Sequence, residues 1–171
     1  CLYPEMIPTF ESDFDLFVRM YQSDWDTGIG EGGSRYMWCE NLKPYLDRFS
    51  EYLSVDTETT SLSWFGSDVR VLTIQFALEP GFSLVCPVDD EFWDWSGREM
   101  ERLRLIRQCR TILEDKKYKK IGHNLKYDIH MLREALGINV TNWYLDTMVM
   151  SFFVDDTLRS YSLDDCVKRW V

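Results

Sequence analysis

The sequence predicts an α/β domain on a mixed sheet, an antiparallel meander followed by parallel strands, with helices flanking it. Residues 52–88 hold three strand-like runs at short spacing, the pattern of a meander. From residue 97 onward, helical periodicity alternates with short apolar runs, as in an α/β chain. The 171 residues are 45% hydrophobic and 15% aromatic, enough for one buried core and too little for two large domains.

Each element has its own signal. Residues 11–22 form a helix pattern with Phe14, Phe17, Val18 and Tyr21 on one stripe. Ser23 to Arg35 reads as a surface loop carrying Gly28, Gly30, Gly32 and Gly33. No strand precedes those glycines and no Gly-Lys-Ser/Thr follows, so a phosphate cradle is disfavoured. Asn41 to Glu51 reads as a helix with Leu42, Leu46 and Phe49 inward and Pro44 in its first turn. Strands follow at 52–57, 69–78 and 82–88, the last after the Pro80-Gly81 turn. Residues 97–114 form an amphipathic helix with Met100, Leu103, Ile106, Ile112 and Leu113 inward and Ser96 as cap. Tyr118 to Gly122 is a strand, and Asn124 to Leu136 a helix stopped by Gly137. A strand near Val140 to Leu145 leads to helices near 147–154 and 162–170, the second with Leu163, Val167 and Trp170 inward. Residues 1–50 thus read as N-terminal helices and a glycine-rich loop, and 51–171 as the main domain. Neither an internal repeat nor a low-complexity tract occurs.

Composition excludes several classes. No stretch approaches the ~20 apolar residues of a membrane span, and no secretory h-region is visible. Cys1 in place of an initiator Met reads as a cut from something longer. The five cysteines, Cys1, Cys39, Cys86, Cys109 and Cys166, form no C-x-x-C and lie mostly far from His123 and His130. A disulfide framework or structural zinc site is therefore disfavoured; Cys86, Cys109 and Cys166 read as core thiols in a reducing cytoplasm. The net charge of −10 argues against a duplex binder gripping many phosphates. Residues 98–126 nevertheless hold ten bases against four acids, peaking at Lys116, Lys117, Lys119 and Lys120. That segment reads as a solvated face and a basic turn, with a local phosphate contact as the alternative.

The chemistry sits in two places. Asp56 and Glu58 are i and i+2 on a strand end, so both project from one face. Alone, such a pair reads as an exposed acidic strand end. Two carboxylates so close repel unless a cation neutralises them, and a hard divalent ion does so through oxygen ligands. In Gly122-His123-Asn124-Leu125-Lys126-Tyr127-Asp128, a strand enters a helix that would carry Asn124 and Asp128 on one face at i and i+4. A helical carboxylate turned toward a carboxylate-bearing strand end completes most of a two-metal site.

Those residues resemble the 3′–5′ proofreading exonuclease domain of family A DNA polymerases, within the ribonuclease-H-like superfamily with four metal-binding acids. The matching stretches are Val55 to Leu62, Ile121 to Leu132, Leu145 to Met148 and Ser162 to Val171. The resemblance implies a ribonuclease-H-like sheet and two Mg²⁺ or Mn²⁺ ions on Asp56, Glu58 and Asp128. It also implies that Thr59 and Leu62 contact the terminal nucleotide and that His123 and Asn124 lie beside the substrate backbone. The implied partners are a single-stranded DNA 3′ end and a polymerase domain C-terminal to this one, in a bacterial or phage-infected cytoplasm. A ribonuclease D-like RNA exonuclease and a catalytically inert module of a polymerase are the alternatives.

Two acids test the pattern. Asp146 precedes the 147–154 helix and reads as its cap rather than as a ligand. Tyr161-Ser162-Leu163-Asp164-Asp165 fits the letters of the family's Tyr-x-x-x-Asp motif, yet it also matches an earlier helix of these domains. The expectation is that the true third motif lies past Val171, which would make residues 1–171 a poor nuclease unaided.

Overall fold

The computed structural model describes residues 35–61, 69–79 and 81–170. The 11–22 helix, the glycine loop through Ser34 and Leu62 lie outside these residues. Six strands form one sheet: β1 (Arg35–Trp38), β2 (Tyr52–Thr59), β3 (Val71–Glu79), β4 (Phe82–Pro87), β5 (Lys119–Gly122) and β6 (Trp143–Asp146), ordered β1-β4-β3-β2-β5-β6. The β2–β3–β4 meander is antiparallel, and β1, β5 and β6 join in parallel. Four helices are described: α1 (Glu99–Glu114), α2 (Leu125–Leu136), α3 (Thr147–Val154) and α4 (Leu163–Trp170).

The strand register sorts side chains between two faces. Val55 lies opposite Phe76, which lies opposite Leu84, while Ile74 lies opposite Cys86. With Leu53 and Leu78 these residues are buried. They share one core with Leu105, Cys109, Ile112 and Leu113 of α1 and Met131 and Leu132 of α2. The other face carries Asp56 opposite Gln75 and Gln75 opposite Val85. Because the side-chain period of a strand is two, one sheet gives α1 and α2 an apolar floor and leaves Asp56 and Glu58 on the opposite surface.

Several local expectations change. Residues 43–48 form only a 3-10 turn (Lys43–Arg48). Leu42 and Phe49 are buried beside it, but Leu46 is 43% exposed. Helix α1 starts at Glu99 with no side-chain cap; Ser96 instead gives its N–H to Asp94 in the preceding turn. Met100 and Leu103 are exposed, because at 3.6 residues per turn they fall on the side away from the Leu105–Cys109–Ile112 stripe. The strand at β1 is new relative to the sequence reading: it adds to β4, pairing Tyr36 with Ser83 and Trp38 with Val85. Cys39, Cys86, Cys109 and Cys166 are free and buried, as core thiols should be.

Candidate functional site

The site is assembled where β2, β5 and α2 meet. Along β2, Leu53, Val55 and Thr57 are buried while Asp56 and Glu58 are exposed, so the two carboxyls share a face as their spacing dictates. Thr57, between them, points the other way and donates its hydroxyl to Asp128 Oδ1 at 2.6 Å. Asp128 stands in the first turn of α2 and is 3% exposed. One strand thus contributes two acids on its open side and the tether of the third on its covered side.

The β5–α2 turn is tightly specified. A Cβ on Gly122 would stand 2.9 Å from Leu125 Cδ1 and 3.0 Å from the Val55 carbonyl oxygen, so only glycine lets the turn press against β2. Asn124 follows in left-handed backbone at φ 58° and precedes the helix. It is therefore not a helical neighbour of Asp128, and its N–H goes to Asp146 Oδ1 at 3.0 Å. Asp146 also accepts from Met148 N and Val149 N at the start of α3, which is the capping role expected of it. His123 has both ring nitrogens engaged, Nδ1 with the Thr147 hydroxyl at 2.9 Å and Nε2 with the Tyr161 carbonyl at 3.0 Å. Burial holds its pKa below the usual histidine value, so it is a neutral brace between β5 and the α3–α4 segment.

The electrostatics are those of crowded acids. Loss of surrounding water raises Asp128 to about 7; the Thr57 hydroxyl opposes the rise and the Asp56 charge adds to it. Asp56 is raised to about 6, first by burial and then by Glu58. Its side chain still reaches solvent, which screens it, so its elevation is the softer of the two. Among the described residues no lysine or arginine figures among the groups that set either carboxyl. Nor are any three Asp, Glu, His or Cys side chains already gathered tightly enough to ligate one ion. The donor set and its uncompensated charge suit a hard divalent cation, while Asp128 rests on Thr57.

Around this centre, the Thr59 and Tyr127 hydroxyls, 2.6 Å apart, and the Ser61 carbonyl form a triangle, in which the two hydroxyl protons serve two of the three contacts at a time. Thr57 and Tyr127 are the partners the sequence reading did not assign. The signal for Thr57 was its position, buried between two acids on a strand facing a helix. At the far end, Ser162 Oγ donates to Asp165 Oδ2 at 2.8 Å and accepts from Asp165 N at 3.3 Å. Ser162 thereby caps the start of α4 through its hydroxyl, and the Tyr161 hydroxyl donates to the Asp155 carbonyl. Asp165 thus serves the start of α4, and Tyr161 ties down the segment that follows α3.

A mixed six-stranded sheet ordered β1-β4-β3-β2-β5-β6 with helices flanking it has the ribonuclease-H-like fold. Residues 37–171 match the 3′–5′ exonuclease family found in family A DNA polymerases, and the chain belongs to it. It is 30% identical over 132 residues to the DNA polymerase DpoZ of Acinetobacter phage SH-Ab 15497, covering 75% of this chain and 18% of that one. It is 26% identical over 149 residues to DNA polymerase I of Pseudomonas aeruginosa, covering 86% and 15%. The chain therefore spans less than a fifth of these relatives' length. Among solved structures, Brucella melitensis NrnC aligns with a TM-score of 0.56 at 19% identity, over 78% of this chain and 57% of that one. The POL domain of Pol1 from M. smegmatis, in complex with DNA primer-template and dNTP, aligns at 0.57 and 17%, over 75% and 20%. These two share the fold.

Proposed function

We propose that this 3′–5′ exonuclease domain removes the terminal nucleotide from a single-stranded DNA 3′ end, in proofreading for a DNA polymerase, using two Mg²⁺ or Mn²⁺ ions held by Asp56, Glu58 and Asp128. The observation that carries the reading is the upward push on Asp56 and Asp128 with no basic side chain among the described residues to relieve it. An added cation would let all three acids ionise together. One solved neighbour, Brucella melitensis NrnC, has a form with bound Mg²⁺.

When bound, such ions supply an activated water and charge relief at the leaving oxygen. The chain's own residues do the holding. Thr57 keeps one oxygen of Asp128 and thereby fixes the carboxyl it offers. Thr59, locked to Tyr127 and Ser61, supports with Leu62 the seat of the terminal nucleotide. His123 and Asn124 stand beside the strand's backbone as parts of the β5–α2 turn, His123 with its nitrogens already committed. A short single strand needs few phosphate contacts, so an acidic surface is compatible with the substrate. Asp165 is occupied at its helix start, and the fourth acid of the family pattern is assigned elsewhere. The relatives are DNA polymerases, so the domain's partner is a polymerase domain in the same protein. Its place is the cytoplasm of a bacterium or phage-infected host; no described helix is long and apolar enough to cross a membrane.

Thermal unfolding with and without Mn²⁺ tests the reading. At an ion concentration 100 times Kd the wild type should gain about 2.7 kcal/mol, and Asp56→Ala should lose that gain without lowering the metal-free midpoint. In the polymerase-length protein the same substitution should abolish digestion of a labelled single-stranded oligonucleotide. A wild type whose midpoint ignores Mn²⁺, or an Asp56→Ala protein cutting at near-normal rate, refutes the assignment.

A further inference from the structure

We propose that Gln75 is a positioning residue of the acidic strand end, its Oε1 accepting a hydrogen bond from a water carried by the divalent ion that Asp56 and Glu58 attract. The inference rests on the metal reading above and adds a residue that neither the sequence pattern nor the family resemblance singled out. On β3, Gln75 lies directly opposite Asp56 in the antiparallel register, and Thr73 lies directly opposite Glu58. Cross-strand partners share a face, with their Cβ atoms roughly 5 Å apart. The amide is anchored, because Nε2 donates to the Thr73 hydroxyl and Thr73 is itself 2% exposed. Its other end is not: Oε1 is buried and has no hydrogen-bond partner.

The neighbours on the far side narrow what can donate to that oxygen. The β4 residues opposite Gln75 and Thr73 are Val85 and Pro87, and neither side chain is a donor. On the near side stand two carboxylates, which are acceptors when ionised. Acceptors gathered on one face of two paired strands call for a donor or a cation between them, since a buried amide oxygen is costly to leave unpaired. A hydrated divalent ion supplies both: it satisfies the carboxylates, and its retained waters point protons outward. Outer acceptors of this kind orient metal-bound waters and tune affinity.

The test is Mn²⁺ binding by the 171-residue protein, read from the free-Mn²⁺ electron paramagnetic resonance signal, with unfolding midpoints in EDTA as the control for folding. Gln75→Leu should weaken Mn²⁺ binding about tenfold or more, without lowering the metal-free midpoint. Gln75→Glu, which keeps an acceptor oxygen, should bind at least as tightly as wild type. If Gln75→Leu does not fold, Gln75→Asn, whose oxygen is drawn back by one methylene, should show the same weakening. A Leu or Asn variant binding as tightly as wild type, or a Glu variant as weak as Leu, overturns the role of Gln75 and leaves the ion site standing. A wild type that binds no Mn²⁺ overturns both.

Discussion

Replacing Asp128 by Asn should stabilise the metal-free protein above neutral pH, and the size of the effect follows from the carboxyl's surroundings. Asp128 is 3% exposed, and burial, with the Asp56 charge, raises its folded pKa from 3.8 to about 7. Between those values the folded state binds a proton that the unfolded state has released. Stability therefore falls as pH rises through that window and is flat above it. At 1.36 kcal/mol per unit, the penalty above pH 7 is about 4 kcal/mol, a large share of the ~5–15 kcal/mol total of an ordinary domain. Asn keeps an oxygen to accept the Thr57 hydroxyl and removes the charge. Urea denaturation in EDTA at pH 5 and pH 8 measures it. The wild type should be less stable at pH 8 than Asp128→Asn, and the difference between the two proteins should shrink by a few kcal/mol at pH 5. Excess Mn²⁺ at pH 8 should stabilise the wild type and leave Asp128→Asn largely unmoved. An Asn variant that is less stable at pH 8, with the wild type's pH slope, would refute the reasoning.

Other expectations follow from contacts elsewhere. Gly122→Ala should cost about 1–3 kcal/mol, because its Cβ meets the Val55 carbonyl oxygen at 3.0 Å and backbone yields little; chemical denaturation reads this directly. Asp146→Ala should cost about 1–2 kcal/mol from the lost cap of α3, with a further penalty for the stranded Asn124 N–H. Unlike Asp56→Ala, it should leave the Mn²⁺-induced rise in midpoint in place. Lys120 is fully buried and donates to the Asp115 carbonyl; burial lowers its pKa from 10.5 to about 8. Between pH 8 and 10.5 the unfolded chain holds the extra proton, so stability should rise there by about 3 kcal/mol. That rise should be missing from Lys120→Met when the two pH profiles are subtracted.

The elements that repeat a strong local signal were legible from the chain alone. The β2–β3–β4 meander shows as closely spaced apolar runs, and α2 ends at Gly137, whose φ of 63° suits glycine and whose N–H closes on the Arg133 carbonyl. Strand β1 was not legible. Its four residues alternate Tyr36 and Trp38 outward around Met37, and a four-residue edge strand is held by its partner's ladder rather than by its own pattern. Helix α1 shows the complementary failure: Met100 and Leu103 fit a helical stripe, but the sheet meets the opposite side of that helix. Asn124 was misplaced because its i, i+4 spacing to Asp128 presumes helical backbone, whereas the sharp entry to α2 uses a left-handed residue.

For the proposed site, residue types and spacing picked out the candidate acids: period two puts Asp56 and Glu58 on one face, and the strand-to-helix run puts Asp128 in the first turn of a helix that meets their strand at Thr57. Period alone says nothing of what lies across the sheet or behind a helix turn. That Asp128 hangs from Thr57, that Gln75 faces Asp56 with an unpaired oxygen, and that Asp165 is spent on opening α4 depend on register and packing between distant segments. Hydrogen bonds and charge repulsion act through space at a few ångströms, and only the folded chain fixes those separations.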